Sequence, residues 1–201
     1  MEINEVNFSN LGFLKVILSD GDVRPIVNEV NELKKNFDGA VRFNQGLAGH
    51  LNNEYHLFKC KPDLENLLLP LVYEYKKRFP HFVCKEEGYF LENTWVNFQK
   101  KYEFNPVHYH LGTFSFAMWL RVPYYIEDEN RTFPYIKSEE NITANFCFQY
   151  TDALGEIQRH AIPADKNWEN SLIFFPAKMR HFVNPFYTSD EYRISISGNF
   201  A

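Results

Sequence analysis

The sequence has no CxxC pair. Its three cysteines, Cys60, Cys84 and Cys147, are odd in number and irregularly spaced, which excludes a disulfide framework and a cysteine zinc site and leaves reduced thiols as the simplest reading. Long apolar runs are missing too. The cluster from Leu67 to Val72 is interrupted by Pro70 and falls far short of a membrane span. Met1 to Phe13 mixes Glu2, Glu5 and asparagines into its apolar residues, unlike the basic and then apolar order of a signal peptide. The cytoplasm is therefore the expected compartment. Positive charge is not in excess: 21 Lys and Arg against 26 Asp and Glu leave a net charge of -5, so no overall field gathers nucleic acid or anionic lipid. Neither a GxGxxG nor a GxxxxGK phosphate loop occurs, and there is no internal repeat or low-complexity tract.

What is present points to strands. The chain's 201 residues fit one domain, and an aromatic content of 17% favours pleated, half-buried surfaces. Two early segments have helical spacing. Ile26, Val27, Val30 and Leu33 predict a helix from Pro25 to Phe37, with Pro25 as first helical residue. Leu64, Leu67, Leu68, Leu71, Val72 and Tyr75 predict a second from Pro62 to Phe79, kinked or split at Pro70. Beyond residue 84 the period becomes two. Strands are predicted at Tyr89–Gln99, Phe114–Tyr125, Ile142–Tyr150, Ile157–Ile162, Leu172–Phe175 and Tyr192–Phe200, with a hairpin loop from Thr151 to Glu156. The expected class is mainly β (α+β), a sandwich or small barrel, with residues 1–84 as helical support and 85–201 as the β core of one domain.

Three separated features carry chemistry. In Asn105-Pro106-Val107-His108-Tyr109-His110, two imidazoles stand on one face of an extended strand, where they either ligate a metal or serve as ordinary surface or core histidines. Phe174-Phe175-Pro176 leads through a turn to His181, a potential third ligand. In Tyr192-Arg193-Ile194-Ser195, Arg193 and Ser195 share one strand face, and an Arg among β-branched residues either pairs with an anion or lies exposed. His50, His56, His81 and His160 have no spacing that unites them.

The order His108, His110, His181, Arg193 and Ser195, with Trp95-Val96-Asn97-Phe98 before it and Phe114 to Trp119 between, resembles the 2-oxoglutarate and Fe(II)-dependent oxygenases, in their prolyl-hydroxylase-like bacterial and phage branch. The likeness covers roughly residues 89–200. It implies a double-stranded β-helix, or jelly roll, with N-terminal helices packed on one sheet. It also implies a dioxygenase using Fe(II), 2-oxoglutarate and O2, with ascorbate as an added reductant. By this resemblance His108 and His181 are the two imidazole ligands of the iron, and Arg193 and Ser195 hold the distal carboxylate of 2-oxoglutarate. Trp119 and Asn97 become neighbours of that cosubstrate. His110 departs from the pattern, which has Asp or Glu there, so ligation by His110, an open position and a carboxylate from elsewhere are all compatible with the sequence, and ligation is the expectation adopted.

The implied substrate is a peptide, protein or small molecule, a prolyl residue being the most specific case. Arg121, Lys101 and Tyr102 are expected to rim the mouth, and the polar stretch from Tyr125 to Glu140 to act as a lid or a plain loop. Two other readings fit the same ligands or fold: a three-His zinc hydrolase or hydratase, and a non-catalytic jelly-roll binding module. The sequence leaves the oligomeric state open.

Overall fold

The computed structural model describes residues 10–44, 48–132 and 141–201. The expectations for residues 1–9 and for the 133–140 part of the lid lie outside the described residues.

Ten strands are present among the described residues: β1 (Leu14–Ile17), β2 (Glu54–His56), β3 (Leu91–Gln99), β4 (Asn105–His108), β5 (Phe114–Arg121), β6 (Phe146–Thr151), β7 (Ile157–Ile162), β8 (Ser171–Pro176), β9 (Arg180–Val183) and β10 (Arg193–Phe200). Helices α1 (Asp20–Lys35), α2 (Lys61–Arg78) and α3 (Ile126–Arg131) complete the set. The strands form two antiparallel sheets, a six-stranded one in the order β1-β8-β5-β10-β3-β2 and a four-stranded one in the order β4-β9-β6-β7. This is the expected jelly-roll arrangement, with α1 and α2 on the outer face of the larger sheet.

Alternation along the strands creates two separate interiors. On β5, Phe116 and Met118 join Ile26 and Val30 of α1 and Leu64, Leu68 and Tyr75 of α2 in the outer core. Ala117 and Trp119, between them in sequence, join Phe146, Phe148 and Phe175 in the inner core. Each buried side chain of this size contributes roughly 1.5–3 kcal/mol relative to exposure. The same split on β3 sends Val96 and Phe98 outward and leaves Trp95, Asn97 and Gln99 to line the inner cavity. On β10 it sends Ile194 and Ile196 outward and leaves Arg193, Ser195 and Ser197 inside.

Several boundaries correct the expectations. Helix α1 starts at Asp20, ahead of Pro25, because Ser19 and Asp22 form a reciprocal capping box: Ser19 Oγ accepts from the Asp22 amide at 3.3 Å and the Asp22 carboxylate from the Ser19 amide at 2.9 Å. Pro25 therefore lies inside the helix. Helix α2 is not split at Pro70. Pro70 and Asn66, whose carbonyl loses its intrahelical donor, are both exposed, so water can serve that group. Strand β5 stops at Arg121, short of Tyr125, and β6 starts at Phe146 rather than Ile142. The described start of the supposed lid is helix α3, where buried Glu129 accepts from the amides of Tyr187 at 2.8 Å and Thr188 at 3.0 Å. That carboxylate anchors the chain after β9. The predicted hairpin loop occurs between β6 and β7, with Asp152 Oδ1 accepting from the Leu154 and Glu156 amides and Gly155 at φ +86°. Among the described residues, no helix is long and apolar enough to cross a membrane.

Candidate active site

The inner face of the sandwich brings together residues far apart in sequence. His108 on β4 and His181 on β9 are direct cross-strand partners in the smaller sheet, so their side chains project from one face. His110 lies just past β4, where its amide donates to Ala177 O at 2.9 Å and ties its loop to the turn preceding His181. The nitrogens these three histidines offer all lie within 4.8 Å of one another. Their ring centroids are 4.3 Å apart for His108 and His181 and 5.0 Å for each pair with His110.

Backbone carbonyls set two of the rings. His108 Nδ1 is 2.7 Å from Pro106 O, and His181 Nδ1 is 2.9 Å from Met179 O. A carbonyl can only accept, so each Nδ1 carries the hydrogen and each Nε2 keeps its lone pair for a ligand. Burial lowers the pKa of all three imidazoles. His110 falls to about 3 through burial and then the His108 charge, and His181 falls well below its usual value through burial and then both neighbours. For His108 burial outweighs the opposing Pro106 carbonyl. Neutral imidazole is the metal-binding form. Phe146 stacks on His181 at 5.4 Å, and Phe148 and Phe175 meet it edge-on, making an apolar cup around the group.

Arg193 lies deeper, 2% exposed. Its Nε and Nη2 donate to Gln99 Oε1 at 3.2 and 2.6 Å, its Nη1 to the Tyr124 hydroxyl at 2.6 Å and Ala144 O at 2.9 Å, and its Nη2 to Asn184 O at 3.2 Å. All five N–H groups are engaged, and every one of these acceptors is neutral. A buried cation with only neutral partners is suited to a carboxylate, but that carboxylate must exchange with an acceptor already present. Gln99 Oε1, which takes two N–H bonds, stands where a carboxylate edge would bind. Ser195, Asn97 and Trp119 line the same cavity as the three histidines and Arg193. Asn97 Nδ2 donates to Ser195 Oγ at 3.2 Å, and Trp119 packs edge-on against Phe146 and Trp168.

The family model of 2OG-Fe(II) oxygenases matches residues 93–199, just over half of the chain and all seven of the residues singled out above. The chain belongs to the 2OG-Fe(II) oxygenases. Solved structures share its fold. A Pseudomonas putida prolyl-4-hydroxylase superposes with a TM-score of 0.55 at 12% identity, over 94% of this chain and 92% of that one. The viral collagen prolyl hydroxylase of Paramecium bursaria Chlorella virus-1, solved with 2OG, gives 0.53 at 15% identity over 94% of both chains. The carbocyclase SnoK of nogalamycin biosynthesis gives 0.55 at 12% identity, over 94% of this chain and 79% of that one. No curated protein sequence matches the chain.

Membership makes the protein an enzyme of Fe(II) and 2-oxoglutarate, and its residues suit both groups. Three neutral nitrogen donors, one buried and two half-buried, fit Fe(II), and among the described residues no carboxylate joins that ligand group. The uncompensated guanidinium fits a dicarboxylate. Arg121, Lys101 and Tyr102, the expected rim, do not line this cavity: Arg121 pairs with Glu191 and Lys101 with Asp190. Sequence reasoning missed Gln99 and Tyr124. Gln99 was within reach, two residues from Asn97 on one strand face, whereas Tyr124 fell within the predicted strand Phe114–Tyr125 on the face opposite Trp119, and it reaches Arg193 because the strand ends at Arg121.

Proposed function

We propose that this oxygenase hydroxylates an organic substrate with His108, His110 and His181 as its iron ligands and Arg193 with Ser195 as the anchor of 2-oxoglutarate. The convergence of three neutral imidazoles, His181 buried and His108 and His110 half-buried, in one cavity with a buried, anion-free guanidinium carries the reading. When bound, Fe(II) and 2-oxoglutarate supply dioxygen activation, with the ketoacid leaving as succinate and carbon dioxide as the substrate is oxidised. The chain's own part is positional. Pro106 O and Met179 O hold the His108 and His181 rings so that Nε2 of each faces the cavity. Arg193, backed by Tyr124, would hold the distal carboxylate in place of Gln99, and Asn97 and Trp119 would stand beside the cosubstrate. Phe146, Phe148 and Phe175 exclude water from the His181 side, which strengthens each polar contact inside.

A prolyl residue of a peptide or protein is the most specific substrate supported by the likeness to prolyl hydroxylases, on fold alone. Residues 1–201 act as one domain in this reading, and the cytoplasm suits the unbonded Cys60, Cys84 and Cys147. The test is succinate formation in air by the purified chain with Fe(II), 2-oxoglutarate and ascorbate. Wild type is expected to form succinate slowly even without substrate, and His110→Ala to lose iron affinity while His110→Asp keeps it. No succinate above a metal-free control, from protein that has taken up iron, overturns the reading. Zinc would occupy the same three imidazoles, but a hydrolytic zinc site gives 2-oxoglutarate no reason to stabilise the protein.

A further inference from the structure

Four side-chain oxygens are buried without a hydrogen-bond partner among the described residues: Asn97 Oδ1 and Asn105 Oδ1, whose residues line the cavity, and Asn44 Oδ1 and Glu54 Oε1, whose residues do not. They converge although the sequence scatters them. Glu54 on β2 lies directly across from Asn97 on β3. Asn44 Nδ2 donates to Glu54 Oε2 at 3.1 Å and to Leu51 O at 2.8 Å, which fixes that amide's orientation. The point where a Cβ on Gly49 would stand is 2.5 Å from Asn105 Oδ1 and 3.2 Å from Glu54 Oε1, so both oxygens lie close together beside the bare Cα of Gly49. Gly49, Asn97 and Asn105 line the same cavity as the three histidines. Glu54 is 1% exposed and Asn97 5%.

A buried acceptor without a donor is costly, and native folds rarely keep even one. Here every open atom is an acceptor, so the matching group is rich in donors. Charge adds a second requirement. Burial, and then the nearby Glu103 carboxylate, raise the Glu54 pKa to about 7 against the opposing bond from Asn44, and no cation is among the groups acting on it. A positively charged donor group answers both needs, since an ammonium brings three N–H bonds and one positive charge.

We propose that this pocket binds a protonated amine of the substrate, with Glu54 as counter-ion and Asn97 and Asn105 as neutral acceptors. The assignment to substrate rests on the oxygenase reading of the adjoining histidines. The amine would hold one end of the molecule beside Gly49 and leave carbon further along the chain to face His108, His110 and His181.

The probe is n-butylammonium, compared with the neutral isostere n-butanol, titrated into the full metal-free chain and followed by thermal midpoint and by amide NMR shifts. Only the ammonium is expected to raise the midpoint and shift resonances of the β2 and β3 strands. Glu54→Gln is expected to weaken ammonium binding at least tenfold while Fe(II) binding persists. Gly49→Ala keeps the carboxylate but its Cβ, built 2.5 Å from Asn105 Oδ1, displaces that acceptor, and it is expected to do the same. Equal responses to amine and alcohol, or full ammonium affinity in both variants, overturn the proposal. A lysine-containing peptide that binds more tightly than n-butylammonium assigns the amine to a peptide, and the reverse order to a free amino compound; both orders support the pocket. Ammonium discrimination in protein that makes no succinate removes the oxygenase reading and keeps the pocket, whereas succinate formation without discrimination removes the pocket alone.

Discussion

The two faces of the larger sheet are built from alternate residues of the same strands yet do opposite things. Toward the helices, β3, β5 and β10 present Val96, Phe98, Phe116, Met118, Ile194 and Ile196, an apolar surface that packing alone explains. Toward the smaller sheet β5 presents Ala117 and Trp119, whereas β3 and β10 present Asn97, Gln99, Arg193, Ser195 and Ser197, polar groups whose burial opposes folding unless each finds a partner. The outer face contributes stability, and the inner face spends part of it to hold a charge and several amides away from water. A register slip of one residue would exchange these roles, so the long pairing of β10 with both neighbours underlies the site as well as the sheet.

Substitutions on the two faces should therefore separate activity from stability. The largest effect belongs to the inner side: His181→Ala is expected to lower succinate formation at least about a hundredfold, beyond the usual effect of removing a mere supporting partner of a metal ligand, with a urea midpoint close to wild type. On the outer face, Phe98→Ala is expected to cost about 3–5 kcal/mol in urea unfolding without changing iron affinity. A fall in iron affinity to match would break the separation. Arg193→Lys keeps the charge but not the planar fork, and 2-oxoglutarate affinity is expected to fall by about 1.5–3 kcal/mol while iron is retained, as read by anaerobic calorimetry.

A smaller effect sharpens the contrast through pH. Glu29 of α1 is opposed by its burial, but bonds from the Cys60, Phe58 and Lys59 amides outweigh this and lower its pKa. A depressed carboxyl pKa stabilises the fold above the unfolded value near 4.5, and that contribution is lost as pH falls through the folded value. Glu29→Gln is expected to cost about 2 kcal/mol at neutral pH and to flatten the acid limb of a stability profile measured by urea unfolding. An unchanged acid limb in the variant contradicts this.

The outer face was the more legible in the sequence. Period-two runs of aromatic and β-branched residues marked the later strands, and Ile157–Ile162 agrees at both ends. Strands β1 and β2 escaped because three or four residues at a sheet edge carry too little periodicity. Pro25 misled the start of α1, since a proline suits a first turn while the capping signal lay upstream in Ser19 and Asp22. Of the site, the residue types and order of His108, His110, His181 and Arg193 were visible, and resemblance to a family joined them. The filled fork of Arg193 was not visible, because Ala144 O and Asn184 O are backbone groups that any residue could supply. Glu54, Asn105 and Gly49 meet only through strand pairing and a loop, which no spacing announces.

Anaerobic titration of the metal-free chain with Fe(II) and 2-oxoglutarate, followed by visible absorption, tests the central assignment most directly. The account predicts a metal-to-ligand charge-transfer band that saturates stoichiometrically in wild type, needs a higher 2-oxoglutarate concentration in Arg193→Lys, and is absent in His181→Ala. Folded wild-type protein that gives no such band, or a band of full strength in His181→Ala, would contradict it.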